Sequence, residues 1–225
     1  MSGDRRLIVI AIDGPAGAGK STIARRIAER LGFTYIDTGA MYRAVALWAR
    51  RQGIDPSDMH RMEQLARAAS ISLEPASSRV LLNGEDVSEE IRSAEIAEAA
   101  SAAAAIPGVR RALVEKQRAM GALTSVVMEG RDIGTVVFPS ADVKIFLDAD
   151  PEERVRRRLA ETSSSPDLVA GQLKQRDDRD RGRSESPLMQ APDAVYIDST
   201  GLTTEQVEEA ILKVIRGKFS NGKGF

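Results

Sequence analysis

The chain has 225 residues, a formal net charge of −1, one histidine and no cysteine. This length accommodates one domain with a substantial core. The charge balance excludes a global basic field of the kind that holds proteins on nucleic acid or acidic membranes, and the lack of cysteine excludes disulfides and thiolate chemistry. No segment approaches the ~20 apolar residues of a membrane span, so we expect a cytoplasmic protein that binds neither nucleic acid nor a membrane.

The first predicted strand, residues 7–12, runs into a loop of the form G-x-x-x-x-G-K-[ST]. Glycines let backbone N–H groups approach a phosphate chain, and the helix that follows favours negative charge at its amino end. A tight turn without a ligand would also use glycine, but the apolar strand before the loop and the helical pattern after it favour phosphate binding. The loop consists of Gly14, Pro15, Ala16, Gly17, Ala18, Gly19, Lys20 and Ser21.

Two side chains of this loop can act on a phosphate chain directly. Lys20 can reach the β- and γ-phosphates of a nucleotide, and the Ser21 hydroxyl can bind Mg²⁺. Such an ion would be held mostly by substrate phosphates and water. Mg²⁺ is accordingly the expected cofactor.

Four further apolar runs, each bounded by polar turns, follow along the chain: residues 33–36, 125–128, 143–147 and 194–197. Amphipathic helical patterns lie between them. This alternation predicts a three-layer α/β fold in which a five-stranded parallel sheet is covered on both faces. Asp150 before Pro151, and Thr203 with Gln206, predict the amino ends of two of the covering helices.

Two stretches depart from this alternation. After residue 55, a helical stretch and two short strand-like pieces lead to Asn83-Gly84, which predicts a tight hairpin and a small antiparallel subdomain inserted between the second and third core strands. Between residues 154 and 183 charge is dense and the helical pattern is interrupted, which predicts a mobile lid that carries arginines. The resulting single domain, 1–225, comprises a core (1–37, 105–152 and 184–225), an insert (about 38–104) and a lid with its helices (about 153–183).

The second and third core strands both end in polar residues. Because open parallel sheets bind ligands at the carboxyl ends of their strands, these side chains are candidates for one site. They are Asp37, Thr38, Arg43, Arg131 and Asp132.

A third polar cluster, residues 175–183, alternates in charge, a pattern typical of a solvated helix surface. Arg176, Asp180 and Arg183 nevertheless share one helical face and can converge on a ligand. Asp177 lies on another face, for which we expect a structural role.

These motifs together resemble the bacterial cytidylate kinases, within the nucleoside monophosphate kinase group of P-loop proteins. The resemblance covers nearly the whole chain. It rests on G-P-A-G-A-G-K-S, D-T-G-A-M-Y-R, the helical A-A-S with P-G-V-R-R-A-L after it, E-G-R-D-I-G-T-V-V-F-P, K-I-F-L-D-A, and R-D-D-R-D-R with the Arg183 that follows it. It implies an insert that binds the monophosphate, a short lid, and transfer of the γ-phosphoryl group of ATP to CMP or dCMP. We expect a monomer.

The resemblance also implies roles for individual residues. The loop from Gly14 to Ser21, with Thr22, would bind ATP; Arg43, Arg131 and Arg183 would grip the monophosphate; Ser101, Arg110 and Asp132 would read cytosine; Arg176 and Asp180 would meet the sugar; and Asp37 and Thr38 would complete the substrate site. Lys20, Arg131 and Asp132 are the expected catalytic residues.

The chemistry of cytosine agrees with this assignment. Its N4 amino group can donate a hydrogen bond to Asp132, and its N3 and O2 can accept hydrogen bonds from Arg110 and Ser101. Uracil would instead present its O4 acceptor to the carboxylate.

Two positions depart from the pattern of many family members. Thr38 stands in place of a serine and Glu129 in place of an aspartate, and both keep the functional group. The lid matches the family pattern poorly, so Arg154, Arg156, Arg157 and Arg158 receive no role.

Two alternative functions stay open at this point. One is a P-loop kinase of another small acceptor, such as UMP, dTMP or shikimate. The other is a GTPase-like switch, which is disfavoured because both asparagines, Asn83 and Asn221, are followed by glycine, so the guanine-reading motif N-K-x-D is absent.

Overall fold

A five-stranded parallel sheet lies at the centre of the structure, a computed structural model that describes residues 6–74, 79–162 and 164–220. In chain order the elements are β1 (Val9–Asp13), α1 (Lys20–Leu31), β2 (Thr34–Asp37), α2 (Thr38–Arg51), α3 (Met59–Ala68), β3 (Ile71–Glu74), β4 (Arg79–Leu82), β5 (Glu85–Asp86), α4 (Ala94–Ala103), α5 (Pro107–Gly121), β6 (Val126–Gly130), β7 (Val143–Asp148), α6 (Pro151–Leu159), α7 (Pro166–Arg181), β8 (Val195–Asp198) and α8 (Thr204–Ser220). A short 3-10 helix covers Glu90–Arg92 and a π-helical turn covers Ile133–Val137.

The central sheet has the strand order β2-β6-β1-β7-β8, so β1 lies in its middle. Every residue of β1 from Ile10 to Asp13 is buried, as expected for a parallel strand covered on both faces. The register pairs Asp37 of β2 with Glu129 of β6, and Gly130 of β6 with Asp13. The carboxyl ends of three strands therefore meet at one edge of the sheet.

Helices cover both faces of this sheet. On one face, Ile10 packs in a cluster with Ile27 of α1 and Ile211 of α8. On the other face, Ala11 belongs to a cluster that includes Val114 of α5. The predicted three-layer α/β fold with five parallel strands is confirmed.

Between β2 and β6 the chain forms a second sheet of three antiparallel strands, in the order β3-β4-β5. Asn83 and Gly84 have φ values of 52° and 86°, the left-handed pair that a two-residue hairpin requires. This confirms the predicted hairpin. Ile71 of β3 and Leu82 of β4 pack in one hydrophobic cluster with residues of α2, α3, α4 and α5.

The helix ends follow the predicted caps. The Asp150 carboxylate accepts from the N–H of Glu152 at 3.0 Å before α6. Thr203 and Gln206 exchange hydrogen bonds of 2.9 and 3.3 Å at the start of α8, which is a capping box. The predicted division into core, insert and lid stays a prediction. Among the described residues, none of the helices combines the length and apolar character that a bilayer crossing requires.

Candidate active site

The glycine-rich loop after β1 lies tightly against the neighbouring strand β7. Gly14 has a φ of 151°, and a Cβ atom there would lie 1.9 Å from the carbonyl oxygen of Leu147, so only glycine fits. Gly19, with a φ of 88°, turns the chain into α1. Ser21 and Thr22 are exposed in the first turn of that helix. The loop therefore ends where unpaired helical N–H groups favour a bound phosphate.

The side chain of Lys20 lies across this loop. Its Nζ donates to the carbonyl oxygen of Pro15 at 2.6 Å, and the residue is 5% exposed. Burial, followed by the nearby Arg131 guanidinium, lowers the pKa of Lys20 to about 7. An anionic ligand at the loop would favour the charged form of this amine.

Two arginines of α6 hold the loop from outside, and sequence reasoning gave neither of them a role. Arg154 donates to the carbonyl oxygen of Ala16 at 3.1 Å and pairs with Asp177 of α7 at 2.6 Å. Arg157 donates to the carbonyl oxygen of Ala18 at 3.3 Å. Their contacts with the loop are to backbone carbonyls, and the acid that pairs with Arg154, Asp177, lies on a different helix, so the sequence does not distinguish these arginines from their neighbours.

Glu129 lies buried at the end of β6, between the phosphate loop and β2. The Tyr35 hydroxyl donates to its Oε1 at 2.6 Å, and the Ser21 side chain lies near the same carboxylate. Thr38 donates to its backbone carbonyl at 2.6 Å. Burial, followed by the adjacent Asp37 carboxylate, raises the pKa of Glu129. The predicted Thr38 and Asp37 therefore meet this acid at the carboxyl edge of the sheet.

Arg43 of α2 projects over the same edge. It donates to Oδ2 of Asp37 at 2.9 Å, while Oδ1 of Asp37 accepts from the N–H of Ala40 and so caps α2. Asp37 thus orients Arg43 as well as starting the helix that carries it.

Arg110 and Asp132 form a buried ion pair. Arg110 also donates to the carbonyl oxygen of Ala104 at 3.2 Å, and its guanidinium lies 5.6 Å from the centre of the Tyr42 ring. These contacts fix the plane of the guanidinium. Only one Asp132 oxygen is used by Arg110.

Asp180 of α7 connects the two remaining predicted grips. It accepts from Arg131 at 2.7 Å and pairs with Arg183. Burial alone would raise the pKa of Asp180, but Arg131 and Arg183 lower it. The structure differs from the expectation in one respect, because α7 ends at Arg181 and Arg183 reaches Asp180 from the following loop.

Ser101 of α4 is buried and accepts a hydrogen bond from Arg179 of α7 at 2.8 Å. Arg179 also pairs with Glu98 of α4 at 2.8 Å. Sequence reasoning did not single out Arg179, although it lies within the charged run around Arg176.

Several arginines of this site have guanidinium nitrogens that no acidic side chain in the described part of the chain satisfies. Burial, followed by Arg131, lowers the pKa of Arg176 to about 10, and Arg43 and Arg158 lower it further. The buried Nε atoms of Arg43, Arg176 and Arg183 have no protein partner among the described residues. Buried donors of this kind are normally satisfied, so the arrangement suits a ligand rich in anionic oxygens.

A further buried acid, Asp13, lies beneath the site and was not predicted. Its carboxylate accepts from the N–H groups of Ile133 and Gly134 at 2.8 and 2.7 Å. The signal in the sequence is an acid at the end of an otherwise apolar strand.

Comparison with known proteins identifies relatives of the whole chain. A family profile described as "Cytidylate kinase" matches residues 10–217. The chain is 62% identical over 228 residues to a cytidylate kinase of Solibacter usitatus (strain Ellin6076), with 98% of this chain and 97% of that protein covered. It is 49% identical over 222 residues to a cytidylate kinase of Geobacter sp. (strain M21), with 96% and 95% covered.

Among solved structures, a gluconokinase from Sinorhizobium meliloti 1021 aligns with a TM-score of 0.51 at 14% identity, over 96% of this chain and 97% of that chain. At this level of identity the likeness concerns the fold alone.

Proposed function

The chain belongs to the cytidylate kinase family, and from that premise we propose how its residues catalyse the reaction. The reaction is the ATP-dependent phosphorylation of CMP and dCMP to the diphosphates. The γ-phosphorus of ATP bonds to a phosphate oxygen of the monophosphate while its bond to the bridging oxygen of ADP breaks. The attacking oxygen is already ionised near neutral pH, so the protein needs no general base and acts by positioning and charge stabilisation.

ATP binds at the loop from Gly14 to Ser21, with its phosphates against the backbone N–H groups at the start of α1. Lys20 exchanges the Pro15 carbonyl for the β- and γ-phosphates. Burial lowers the pKa of Lys20. Bound phosphates are anionic and therefore favour the protonated form of its amine. Lys20 is then charged where negative charge accumulates during transfer.

Ser21 and Glu129 fit a magnesium ion. Both offer the hard oxygen donors that Mg²⁺ prefers, and the two side chains lie near each other at the start of α1 and the end of β6. Ser21 would hold the ion directly, and Glu129 would hold it through water. When bound, the ion would neutralise charge on the β- and γ-phosphates.

The acceptor phosphate lies among Arg43, Arg131 and Arg183. Asp37 orients the first of these arginines, and Asp180 orients the other two. Guanidinium groups bind phosphate oxygens with two parallel hydrogen bonds, which fixes the direction of attack as well as the position. Arg176 with Asp180 would contact the sugar.

Cytosine is read by Asp132, Arg110 and Ser101. The observation that carries this assignment is the buried Arg110–Asp132 pair, in which Arg110 holds one carboxylate oxygen. The carboxylate can accept from the N4 amino group, while Arg110 and Ser101 donate to N3 and O2. Uracil would leave buried groups unpaired, which a site built for hydrogen bonding rejects strongly.

The insert (about 38–104) and the lid (about 153–183) would close over the two nucleotides. The Arg179 contacts to Ser101 and Glu98 join the lid helix α7 to the insert helix α4. Closure would bring lid arginines such as Arg158 toward the transferring group and exclude water, which could otherwise take the phosphoryl group.

The substitution Asp132→Asn tests the assignment of the base. An amide can turn its N–H₂ group toward the O4 of uracil, so kcat/KM for CMP should fall while the gap to UMP narrows. The measurement is the ratio of kcat/KM for CMP to that for UMP at saturating MgATP, in wild type and variant. Asp178→Asn, an exposed acid on α7, is the control.

Two results would contradict this assignment. If both kcat/KM values fell together at a constant ratio, Asp132 would orient neighbouring groups and cytosine would be read elsewhere. If wild type phosphorylated UMP, dTMP or shikimate better than CMP, the acceptor site itself would be misassigned.

A further inference from the structure

Asp13 is a buried carboxylate that the proposed mechanism leaves unused. It ends β1, directly before Gly14, and is 5% exposed. Its Oδ1 accepts from the N–H of Ile133 at 2.8 Å and its Oδ2 from the N–H of Gly134 at 2.7 Å. These are the first two N–H groups of the π-helical turn, so both carboxylate oxygens hold the backbone of one short segment.

That segment follows two residues assigned to CMP, one to its phosphate and one to its base. Arg131 and Asp132 immediately precede the turn, and the carbonyl oxygen of Asp132 accepts from the N–H of Val137 at 3.1 Å. At the other end, Arg118 of α5 donates to the carbonyl oxygen of Val137 at 2.9 Å. Asp13 therefore fixes the end of the turn nearest to Arg131 and Asp132.

Close packing leaves this segment little room to move. Gly130 is the register partner of Asp13 in the sheet. A Cβ atom at Gly134 would lie 3.1 Å from Cδ of Lys144 and 3.4 Å from Oδ2 of Asp13. The turn is thus held directly against the end of β1, and displacement of either one displaces the other.

A buried carboxylate at Asp13 costs desolvation free energy, which an uncharged side chain in the same place would avoid. Burial, followed by the Asp132 carboxylate, raises the pKa of Asp13 to about 6, although the two N–H groups and the Lys20 ammonium lower it. A neutral amide of the same shape would avoid burying a charge. It could not accept both hydrogen bonds, because its nitrogen is a donor.

We propose that Asp13 is a positioning residue that couples the ATP-binding loop to the CMP-binding segment. By joining the strand that leads into Gly14 to the turn that follows Asp132, it sets the separation across which the phosphoryl group moves. This inference rests on the proposed assignment of Arg131 and Asp132 to CMP.

The test is Asp13→Asn. With one of two charge-assisted hydrogen bonds lost, we expect KM for CMP to rise about tenfold or more, and the ratio of kcat/KM for CMP to that for UMP to fall. KM for ATP should change much less, because the loop backbone keeps its own contacts to β7. The thermal midpoint of unfolding, followed by circular dichroism, should fall no more than in the control variant.

The control is Asp142→Asn. Asp142 lies just before β7, and its Oδ2 accepts from the N–H of Val9 at 2.9 Å. It makes a comparable bond to the backbone of β1, but at the amino end of the strand, away from the site. Its KM values should stay at the wild-type level.

A second variant perturbs the contact between Asp13 and the π-helical turn from the side of the turn. Gly134→Ala adds a methyl group against Asp13 and Lys144, and it should raise KM for CMP selectively. It decides the question if Asp13→Asn fails to fold.

Unchanged KM for CMP, or equal rises in KM for CMP and ATP, would overturn the positioning role. Arg131→Ala separates this failure from failure of the proposed function. If Arg131→Ala raises KM for CMP and Asp13→Asn does not, the site stands and the inference is wrong. If neither does, the assignment of CMP to this segment is wrong.

Discussion

Asp13 also makes the stability of the fold depend on pH. Its pKa of about 6 in the folded chain lies above the 3.8 of an ordinary aspartate, so the folded state binds the proton more tightly. This stabilisation is fully present below the unfolded pKa and is lost as the pH rises through 6.

We therefore expect the free energy of unfolding of Asp13→Asn, relative to wild type, to shift in favour of the variant by about 1–2 kcal/mol between pH 5 and pH 7.5. Urea denaturation at the two pH values measures it. Asp132 and Lys20 face Asp13 in both proteins, so the comparison at each pH isolates the substitution at Asp13. A difference independent of pH would mean that Asp13 titrates at its ordinary value.

Lys20 is the side chain whose loss should affect chemistry most. Lys20→Ala should fold normally and lose about 10²-fold or more in kcat, since one preorganised charge contact contributes several kcal/mol to the transition state. Lys174→Ala removes an exposed lysine that pairs with Asp178, and it should leave kcat unchanged. Turnover at the wild-type level in Lys20→Ala would remove Lys20 from the mechanism.

At the scale of elements, α6 and α7 are joined by the buried pair of Arg154 and Asp177. Removal of one partner leaves a buried charge uncompensated, so Asp177→Ala should lower the free energy of unfolding by about 3 kcal/mol. The adjacent Asp178 pairs with Lys174 at the surface, and Asp178→Ala should cost less than about 1 kcal/mol.

Guanidinium denaturation of the two single variants gives the comparison directly. Equal losses would show that the Arg154–Asp177 pair is as well solvated as a surface pair. Because Arg154 also holds the Ala16 carbonyl, Asp177→Ala should in addition weaken ATP binding.

The central strands could be predicted because each is an unbroken apolar run. The hairpin could be predicted because Asn-Gly readily adopts the two positive φ values that a two-residue turn requires. The π-helical turn was not predicted, because the β-branched residues of Ile133–Val137 favour a strand. The bounds of the short strand β5 were not predicted, because two residues are too few to show an alternation of apolar and polar side chains. Tertiary partners, Asp13 and Arg118, impose the conformation of the π-helical turn, whereas β5 is the short second strand of the local hairpin with β4.

In the candidate site, too, residues within local motifs could be predicted and residues placed by tertiary contacts could not. Residues within short motifs, such as Lys20 or Asp132, could be found from spacing alone. Arg154 and Arg157 could not, because their contacts with the phosphate loop are to backbone carbonyls, which no sequence motif marks. Arg179 lay in a recognised charged run, yet its partner Ser101 is far away in the chain and is brought near only by the packing of α4 against α7.

For the whole molecule, a net charge of −1 conceals a concentrated positive site. Nucleotides that bind only the folded state raise its stability, by about 2.7 kcal/mol at a concentration one hundred times Kd. Wild type should therefore unfold at higher temperature with CMP and with ATP. Arg43→Ala should lose most of the shift caused by CMP and keep the shift caused by ATP.

Arg50→Ala is the matched control for this measurement, since Arg50 lies on the same helix and pairs with Glu95 at the surface. It should keep both shifts. Loss of both shifts in Arg43→Ala would place Arg43 at a position shared by the two nucleotides.

The strand order has a consequence for synthesis on the ribosome. β1 is made first, but its neighbours β6 and β7 begin only at Val126 and Val143, and β2 also pairs with β6. At ~5–20 residues per second, the nascent chain carries an unpaired apolar strand for several seconds. The β3-β4-β5 sheet, built from neighbouring segments, can form during that wait. Because Gly14 packs against Leu147 of β7, we expect ATP to bind the nascent chain only after β7 has emerged.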